Sequence, residues 1–126
     1  MSAAMSDPAV HWVEVPEAED LWEGDLIDAE VDGEQVLIVH HLDGSFAAYQ
    51  GLCPHQEMLL ADGPWDADAS RLRCPGHDWE FDLKTGVGIN PAGCRLYRYG
   101  VQVIDGRVRI GIPQDGQPHY YRYQET

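Results

Sequence analysis

Short runs in which apolar and polar residues alternate dominate the chain, and tight-turn residues separate them. In the first half, runs of this kind occupy residues 11–15, 26–31, 35–42 and 45–50. Asp32-Gly33 and Asp43-Gly44 separate the last three runs, and Asp-Gly between alternating segments is a strong hairpin signal. Residues 17–21, which follow a proline, are compatible with one helical turn. The pattern predicts short antiparallel strands joined by hairpins.

The second half begins differently and then returns to the same pattern. From residue 51 to about 91, Cys, His, Pro, Gly and Trp accumulate with little periodicity, which predicts a loop-rich segment. Strands are predicted again at residues 95–104 and 107–112, joined by Asp105-Gly106. No sustained helical stripe is present. We therefore expect an all-β domain over residues 11–112, an antiparallel sandwich or barrel that carries the loop-rich segment at one end. Residues 1–10 are predicted to be a flexible tail and residues 113–126 a C-terminal extension.

The charge is large, negative and unevenly distributed. The 126 residues carry a formal net charge of −14, and residues 1–70 contain sixteen acidic residues with no Lys or Arg. Such a chain lacks the basic residues that neutralise phosphates, which argues against nucleic acid and against an anionic membrane surface as partners. An acidic protein can still be steered towards basic docking patches on a protein partner, and association of that kind slows as the salt concentration rises.

The cysteine count and the N-terminus bear on the compartment. Three cysteines without a recognisable secretory signal argue against a disulfide framework and favour a reducing, cytoplasmic setting. The longest apolar run, residues 36–39, is far shorter than the roughly 20 residues of a membrane span. The thiols therefore call for burial, metal binding or catalysis as an explanation.

Two Cys/His pairs in the loop-rich segment carry the candidate chemistry. The first is the sequence C-P-H at residues 53–55 and the second is C-P-G-H at residues 74–77. A structural zinc site is one interpretation, although such sites usually pair Cys with Cys and His with His. Coincidence between unrelated loops is another. A Rieske [2Fe–2S] centre is the third, and the pattern favours it, because two Cys bind one iron and two His bind the other. The predicted ligands are Cys53, His55, Cys74 and His77.

These motifs resemble those of Rieske-type ferredoxins. The residues after the first pair, Q-E-M-L-L at 56–60, and G-V-G-I-N-P at 86–91 are similar to the ferredoxin components of soluble diiron monooxygenases, such as the toluene and alkene enzymes. The similarity extends over residues 12–112. It implies one [2Fe–2S] cluster and a monomeric, non-catalytic electron carrier. The implied partners are an NADH-dependent flavin/iron–sulfur reductase and a diiron hydroxylase.

Alternatives to that role remain open. The same cluster would serve the ferredoxin of an aromatic-ring dioxygenase or the small subunit of a nitrite reductase, and a zinc-stabilised binding module belongs to a different class. No G-x-G-x-x-G, G-x-S-x-G or Walker sequence is present. Without a nucleotide or flavin motif, the chain is not expected to collect electrons from NADH itself.

Other residues near the motifs receive structural interpretations. Cys94 is expected to be a buried, inert thiol. His40 and His41 are neighbours on a predicted strand, so their side chains should point to opposite faces and neither is expected to be a ligand. Trp79 is expected to pack against the second loop. Cys53 and Cys74 should lie deeper than the two histidines, which we expect at an exposed tip.

Overall fold

The computed structural model describes residues 10–54, 58–75, 79–90, 94–114 and 119, with Asn90 described by its backbone only. Its elements in chain order are β1 (Val10–Glu14), α1 (Pro16–Glu19), β2 (Leu26–Val31), β3 (Glu34–His40), β4 (Phe46–Gln50), a 3-10 helix (Leu60–Asp62), β5 (Trp65–Asp66), β6 (Arg71–Arg73), β7 (Glu80–Asp82), β8 (Val87–Asn90), β9 (Arg98–Ile104) and β10 (Arg107–Pro113). The predicted tail up to residue 9, and the extension except for residues 113, 114 and 119, lie outside the described residues. No described helix is long and apolar enough to cross a membrane.

Six strands form the larger sheet, in the order β1-β10-β9-β4-β3-β2, and all its pairings are antiparallel. Asp32 and Gly33 have φ values of 54° and 82°, and Asp105 and Gly106 have 53° and 78°. Two successive positive φ values are the signature of the type I′ turn, whose twist matches that of the flanking strands. The predicted Asp-Gly hairpins are therefore confirmed at these two positions. The hairpin predicted at Asp43-Gly44 also forms, since β3 and β4 pair antiparallel, with a longer loop over residues 41–45. The sequence did not indicate that β4 pairs with β9, which joins the two hairpin groups.

Four very short strands form a second antiparallel sheet, in the order β5-β6-β7-β8. They lie within the segment whose sequence predicted loops. Strands of two to four residues are too short for an alternating pattern to be recognised, since the period itself is two. The all-β class is confirmed, and the loop-rich segment contains more regular structure than its sequence suggested.

β3 contributes side chains to both cores of the protein, one on each of its faces. Its residues Val36 to Val39 are all fully buried. Leu37 and Val39 belong to a core that includes Leu72 and Phe81 of the small sheet, whereas Val36 and Ile38 belong to a core with β10. Successive side chains of a strand point to opposite faces, so a continuous apolar run is expected where both faces are covered. One face of the large sheet therefore packs against the small sheet. The other face covers the second core, to which β10 contributes.

Tyr49 on β4 connects the two sheets through a buried hydrogen bond. Its hydroxyl donates to the backbone carbonyl of Leu83, just after β7, at 2.6 Å, and burial raises the pKa of the phenol. We expect Tyr49→Phe to lower the free energy of unfolding by about 1–3 kcal/mol, because a buried carbonyl loses a donor while the ring still packs. Denaturant unfolding followed by circular dichroism measures this. A change below about 0.5 kcal/mol would contradict the structural role of the bond.

Candidate metal centre

Cys53 and Cys74 are both buried in the core between the two sheets. Their side chains are 0% and 1% exposed, and both belong to the cluster of buried residues that contains Leu60, Leu72 and Phe81. Neither forms a disulfide. Both cysteines thus lie deep in the protein, while their predicted depth relative to His55 and His77 stays a prediction, because the two histidines lie outside the described residues. Two thiols are thus held against one apolar core by loops from separate parts of the chain.

The two cysteines begin loops that are closed in the same way. The backbone N–H of Cys53 donates to the carbonyl of Met58 at 3.0 Å, and the N–H of Cys74 donates to the carbonyl of Trp79 at 2.8 Å. In both cases the acceptor lies five residues after the cysteine. Both enclosed sequences begin with proline, and the histidine stands two residues after the cysteine in the first loop and three after it in the second. His55 and His77, with residues 56, 57, 76 and 78, lie outside the described residues.

Short ladders extend both loop closures into the body of the protein. A bridge between Leu52 and Leu59 continues the first loop, and the pairing of Arg73 with Glu80 on β6 and β7 continues the second. Arg73 and Glu80 also form an ion pair at 3.3 Å, in which both side chains are partly exposed. Each loop is therefore the end of a narrow antiparallel ladder, a geometry that fixes the position of its opening cysteine.

Gly63 holds the exit of the first loop against the entry of the second. A Cβ on Gly63 would overlap the carbonyl oxygen of Arg73 and lie 3.2 Å from Cδ of Pro75. The next residue, Pro64, accepts a hydrogen bond from the N–H of Arg73 at 3.0 Å. The two chain segments thus touch backbone to backbone, and only a residue without a side chain permits this approach. Sequence reasoning did not single out Gly63.

Gln50, at the end of β4, secures the start of the first loop. Its side-chain nitrogen donates to the carbonyl of Leu52 at 2.9 Å, and its side-chain oxygen accepts from the N–H of Tyr97 at 2.7 Å. The side chain is 1% exposed. A buried amide with both ends hydrogen-bonded fixes its neighbours strongly, since losing either partner leaves a buried polar group unsatisfied. Nothing in the sequence distinguished this glutamine from an ordinary strand residue.

The adjacent histidines on and after β3 face opposite ways, as expected. His40 Nδ1 lies 2.9 Å from the carbonyl of Leu21, and its ring stacks on Phe46 with centroids 4.0 Å apart. His41 is buried, with Nδ1 3.5 Å from Ser70 Oγ. Burial lowers the pKa of His41, and nearby Asp43 partly opposes this shift. Both histidines thus have structural contacts within the fold.

Cys94 and Trp79 also occupy the positions expected of packing residues. Cys94 is 5% exposed, and burial raises the pKa of its thiol, which keeps it protonated and unreactive. The indole of Trp79 is partly buried and packs against the core that contains both loop cysteines. The packing roles that the sequence predicted for both residues thus agree with the structure. Cys94 also differs from Cys53 and Cys74, which open the two loops.

The donors that the structure does describe fit the sulfur half of a Rieske centre. Cys thiolates hold the irons of iron–sulfur clusters, and in Rieske centres two His replace two Cys on one iron. Cys53 and Cys74 are buried, are not joined in a disulfide and are presented by loops that close in the same way. Among the described residues, no three His, Cys, Asp or Glu side chains form a metal-binding group. The histidine half of the set falls on residues 55–57 and 76–78, which are among the stretches that the structure does not describe.

Comparison with known proteins identifies the family. Residues 11–100 match the model of the Rieske [2Fe-2S] domain. The ferredoxin component of the alkene monooxygenase system of Xanthobacter autotrophicus is 39% identical over 111 residues, which are 86% of this chain and 89% of that protein. The ferredoxin component of the naphthalene 1,2-dioxygenase system of Pseudomonas putida is 29% identical over 104 residues, 82% of this chain and 97% of that protein.

A solved structure agrees with both sequence relatives. The ferredoxin of carbazole 1,9a-dioxygenase from Nocardioides aromaticivorans superposes with a TM-score of 0.70 and 29% identity, over 79% of this chain and 95% of that one. The fold, the pair of loops and the family match thus agree over most of the chain, and the family carries a single [2Fe–2S] cluster. This protein belongs to the Rieske [2Fe–2S] family.

Proposed function

We propose that this protein is the electron-transfer ferredoxin of a bacterial multicomponent monooxygenase. It takes single electrons from an NADH-dependent flavin/iron–sulfur reductase and passes them to a diiron hydroxylase that oxidises a small alkene or arene. The observation that carries the proposal is the pair of identically closed loops, each opened by a buried cysteine. The 39% identical relative is named as an alkene monooxygenase ferredoxin, which supports this partner class.

The assignment of ligands forms part of the proposal. Cys53 and Cys74 bind one iron, and His55 and His77 bind the other. When bound, the cluster accepts and releases one electron at a time. The chain itself turns over no substrate, in keeping with relatives that are named as ferredoxin components. We further propose that the protein works as a cytoplasmic monomer.

The residues around the cysteines keep the sulfur side dry and rigid. Leu60, Leu72 and Phe81 are fully buried beside the two thiols and exclude water from them. The loop-closing hydrogen bonds use the N–H groups of both cysteines. An apolar shell of this kind controls solvent access and the local dielectric, and both affect the potential of a metal centre.

The residues at three loop positions predict a low reduction potential. Positions 58, 76 and 79 hold Met, Gly and Trp, so none of them supplies a hydroxyl that could donate to a cluster sulfide or a thiol that could link the two loops by a disulfide. With fewer hydrogen bonds to the sulfurs, the reduced cluster is less stabilised. We expect a midpoint potential on the order of −150 to 0 mV, near the bottom of the Rieske range. A redox titration giving more than about +200 mV would contradict this explanation.

Spectroscopy and reconstitution together test the proposed function. The purified protein should contain two irons per chain and give the Rieske-type EPR signal when reduced, whereas a colourless protein with one zinc would overturn the assignment. Stopped-flow mixing with the purified reductase and diiron hydroxylase of its own system should show reduction by the first and oxidation by the second. If only a ring-hydroxylating dioxygenase accepts the electrons, the protein is instead the ferredoxin of such a dioxygenase. The 29% identical naphthalene dioxygenase ferredoxin is the observation that favours this second candidate.

A further inference from the structure

We propose that an acidic, tryptophan-bearing surface on the flank of the protein docks a basic protein partner. This surface, the Trp22 face, consists of two apolar and three acidic residues: Trp22, Leu42, Asp20, Glu23 and Asp25. The inference rests on the proposed function, because it concerns one of the two proteins with which the ferredoxin exchanges electrons. The occupant we infer presents an arginine or lysine to the indole of Trp22, with further basic residues around it.

Trp22 is exposed to a degree that folding alone does not explain. Its side chain is 80% exposed, the highest value among the exposed large apolar residues of the described chain. Leu42, whose side chain packs against Gly24 of the same turn, is itself 49% exposed. Tryptophan is the residue type most enriched among those that dominate binding energy at protein interfaces. An exposed indole, with an exposed leucine packed against Gly24 of the same turn, thus has the composition of a binding centre.

The turn that presents Trp22 is fixed by hydrogen bonds. The N–H of Asp25 donates to the carbonyl of Trp22 at 3.0 Å, and the N–H of Gly24 donates to the carbonyl of His40 at 2.7 Å. Trp65 Nε1 donates to the carbonyl of Gly24 at 2.8 Å. Because the turn is already ordered, a partner does not have to meet the entropic cost of ordering it. This rigidity distinguishes the Trp22 face from an exposed residue on a loose loop.

The charges around Trp22 define the chemistry of the partner. Asp20, Glu23 and Asp25 are exposed, and residues 10–70 contain no Lys or Arg. A cation placed over an indole is attracted by its π face, and surrounding carboxylates strengthen that attraction. A twofold dimer would bring the same acidic residues against one another, which disfavours a second copy of this chain. The sign of the charge likewise disfavours nucleic acid and anionic lipid.

The Trp22 face is continuous with the strand that leads into the second cysteine loop. Trp65, which holds Gly24, also lines a cleft of about 310 Å³ together with Arg71, Arg73 and Glu80. Arg73 immediately precedes Cys74. The Trp22 face is therefore joined through Trp65 to the segment that ends at Cys74, and the exposed Arg71 and Arg73 bound the face on that side. The basic partner we infer sits on the acidic residues rather than over these two arginines.

The test compares Trp22→Ala with Val103→Ala, a matched loss of an exposed apolar side chain on β9, where Val103 is 52% exposed. Electron transfer is followed by stopped flow as a function of the concentration of the purified reductase or hydroxylase. We expect Trp22→Ala to raise the dissociation constant for one of the two by at least about tenfold, a typical loss at an interface hot spot. Val103→Ala should change it less than twofold. The EPR signal and midpoint potential should be unchanged in both variants.

A second pair of variants separates local complementarity from total charge. Two double variants each remove two negative charges: Asp20→Asn with Glu23→Gln within the five residues that define the Trp22 face, and Glu30→Gln with Asp105→Asn outside them. The first pair should weaken binding of the same partner and flatten its salt dependence, while the second should leave both nearly unchanged. Equal effects of the two pairs would overturn local docking in favour of general steering.

The remaining outcomes are also decisive. Wild-type protein that exchanges electrons with neither partner would overturn the proposed function and this inference with it. If the wild-type protein exchanges electrons with both partners and Trp22→Ala changes neither dissociation constant, the inference alone is overturned. If sedimentation shows that the wild-type protein is a dimer and that Trp22→Ala dissociates it, the occupant of the Trp22 face is a second copy of the chain rather than a basic partner.

Discussion

Replacing Cys74 with alanine is expected to abolish the Rieske EPR signal and reduce the iron content to background. Cys74 is 1% exposed and opens the second loop, whose closing hydrogen bond runs from its own backbone N–H to the carbonyl of Trp79. The substitution removes the thiolate but keeps that N–H, so the loop geometry should survive while the metal loses a ligand. Iron analysis, visible absorption and EPR of the reduced protein measure the effect.

Cys94→Ala is the matched control for this substitution. Cys94 is 5% exposed and lies in the same core as Cys74, so both variants remove a buried sulfur of similar environment. We expect Cys94→Ala to retain two irons per chain and full EPR intensity, with a modest loss of stability from the small cavity. If the control lost the cluster as completely as Cys74→Ala, general core damage rather than loss of a ligand would account for both results.

Gly63→Ala is expected to have the second large effect, on stability and on cluster loading together. The new Cβ would overlap the carbonyl oxygen of Arg73, a backbone atom that no rotamer change can move aside. Because Gly63 has φ −88° and ψ 167°, alanine adopts its backbone conformation without strain, and the cost is purely steric. We expect a loss of at least about 3 kcal/mol, the upper end of overpacking costs. Thermal unfolding should move down by roughly 10 °C.

Cluster content provides the more specific readout for Gly63→Ala. Separating residues 63–64 from residues 73–75 changes how the first loop meets the second, so iron per folded chain should fall at least twofold even at temperatures where the protein stays folded. Gly100→Ala on β9 is the control. The atoms nearest to its Cβ would be those at the ring tip of Trp12, at 3.1 Å, and Trp12 is 36% exposed. Wild-type iron content and stability in Gly63→Ala would show that the contact is dispensable.

The hairpins were predictable because their signals are local. Asp32-Gly33 and Asp105-Gly106 adopt the positive φ values that this dipeptide favours, and the flanking strands lie within two residues of their predicted bounds except at the start of β9. The small sheet was not predictable, since a strand as short as Trp65–Asp66 carries no periodic signal. Its register depends on backbone contacts between segments that are distant in sequence, such as Pro64 with Arg73.

Some residues of the predicted site could be selected from the sequence, whereas others could be recognised only in the structure. Spacing alone selected Cys53 and Cys74 and set Cys94 aside, because thiols and imidazoles at these intervals match one kind of metal centre. Gln50 and Gly63 escaped notice, since a glutamine or a glycine has meaning only through what it touches. Burial of both cysteines in one core was expected from chemistry, and the packing of β3 and β4 against the small sheet explains how it is achieved.

By itself, the sequence determined the all-β class, the Asp-Gly hairpins, the two Cys/His pairs as candidate ligands and the acidic first half, all of which are encoded in neighbouring residues or in composition. Tertiary structure alone decided that the two loops close identically, that Gly63 lets their backbones touch, and that Trp22 stands exposed on a turn held by His40 and Trp65. These features arise from contacts between distant segments, whose energies depend on which surfaces meet once the sheets have packed.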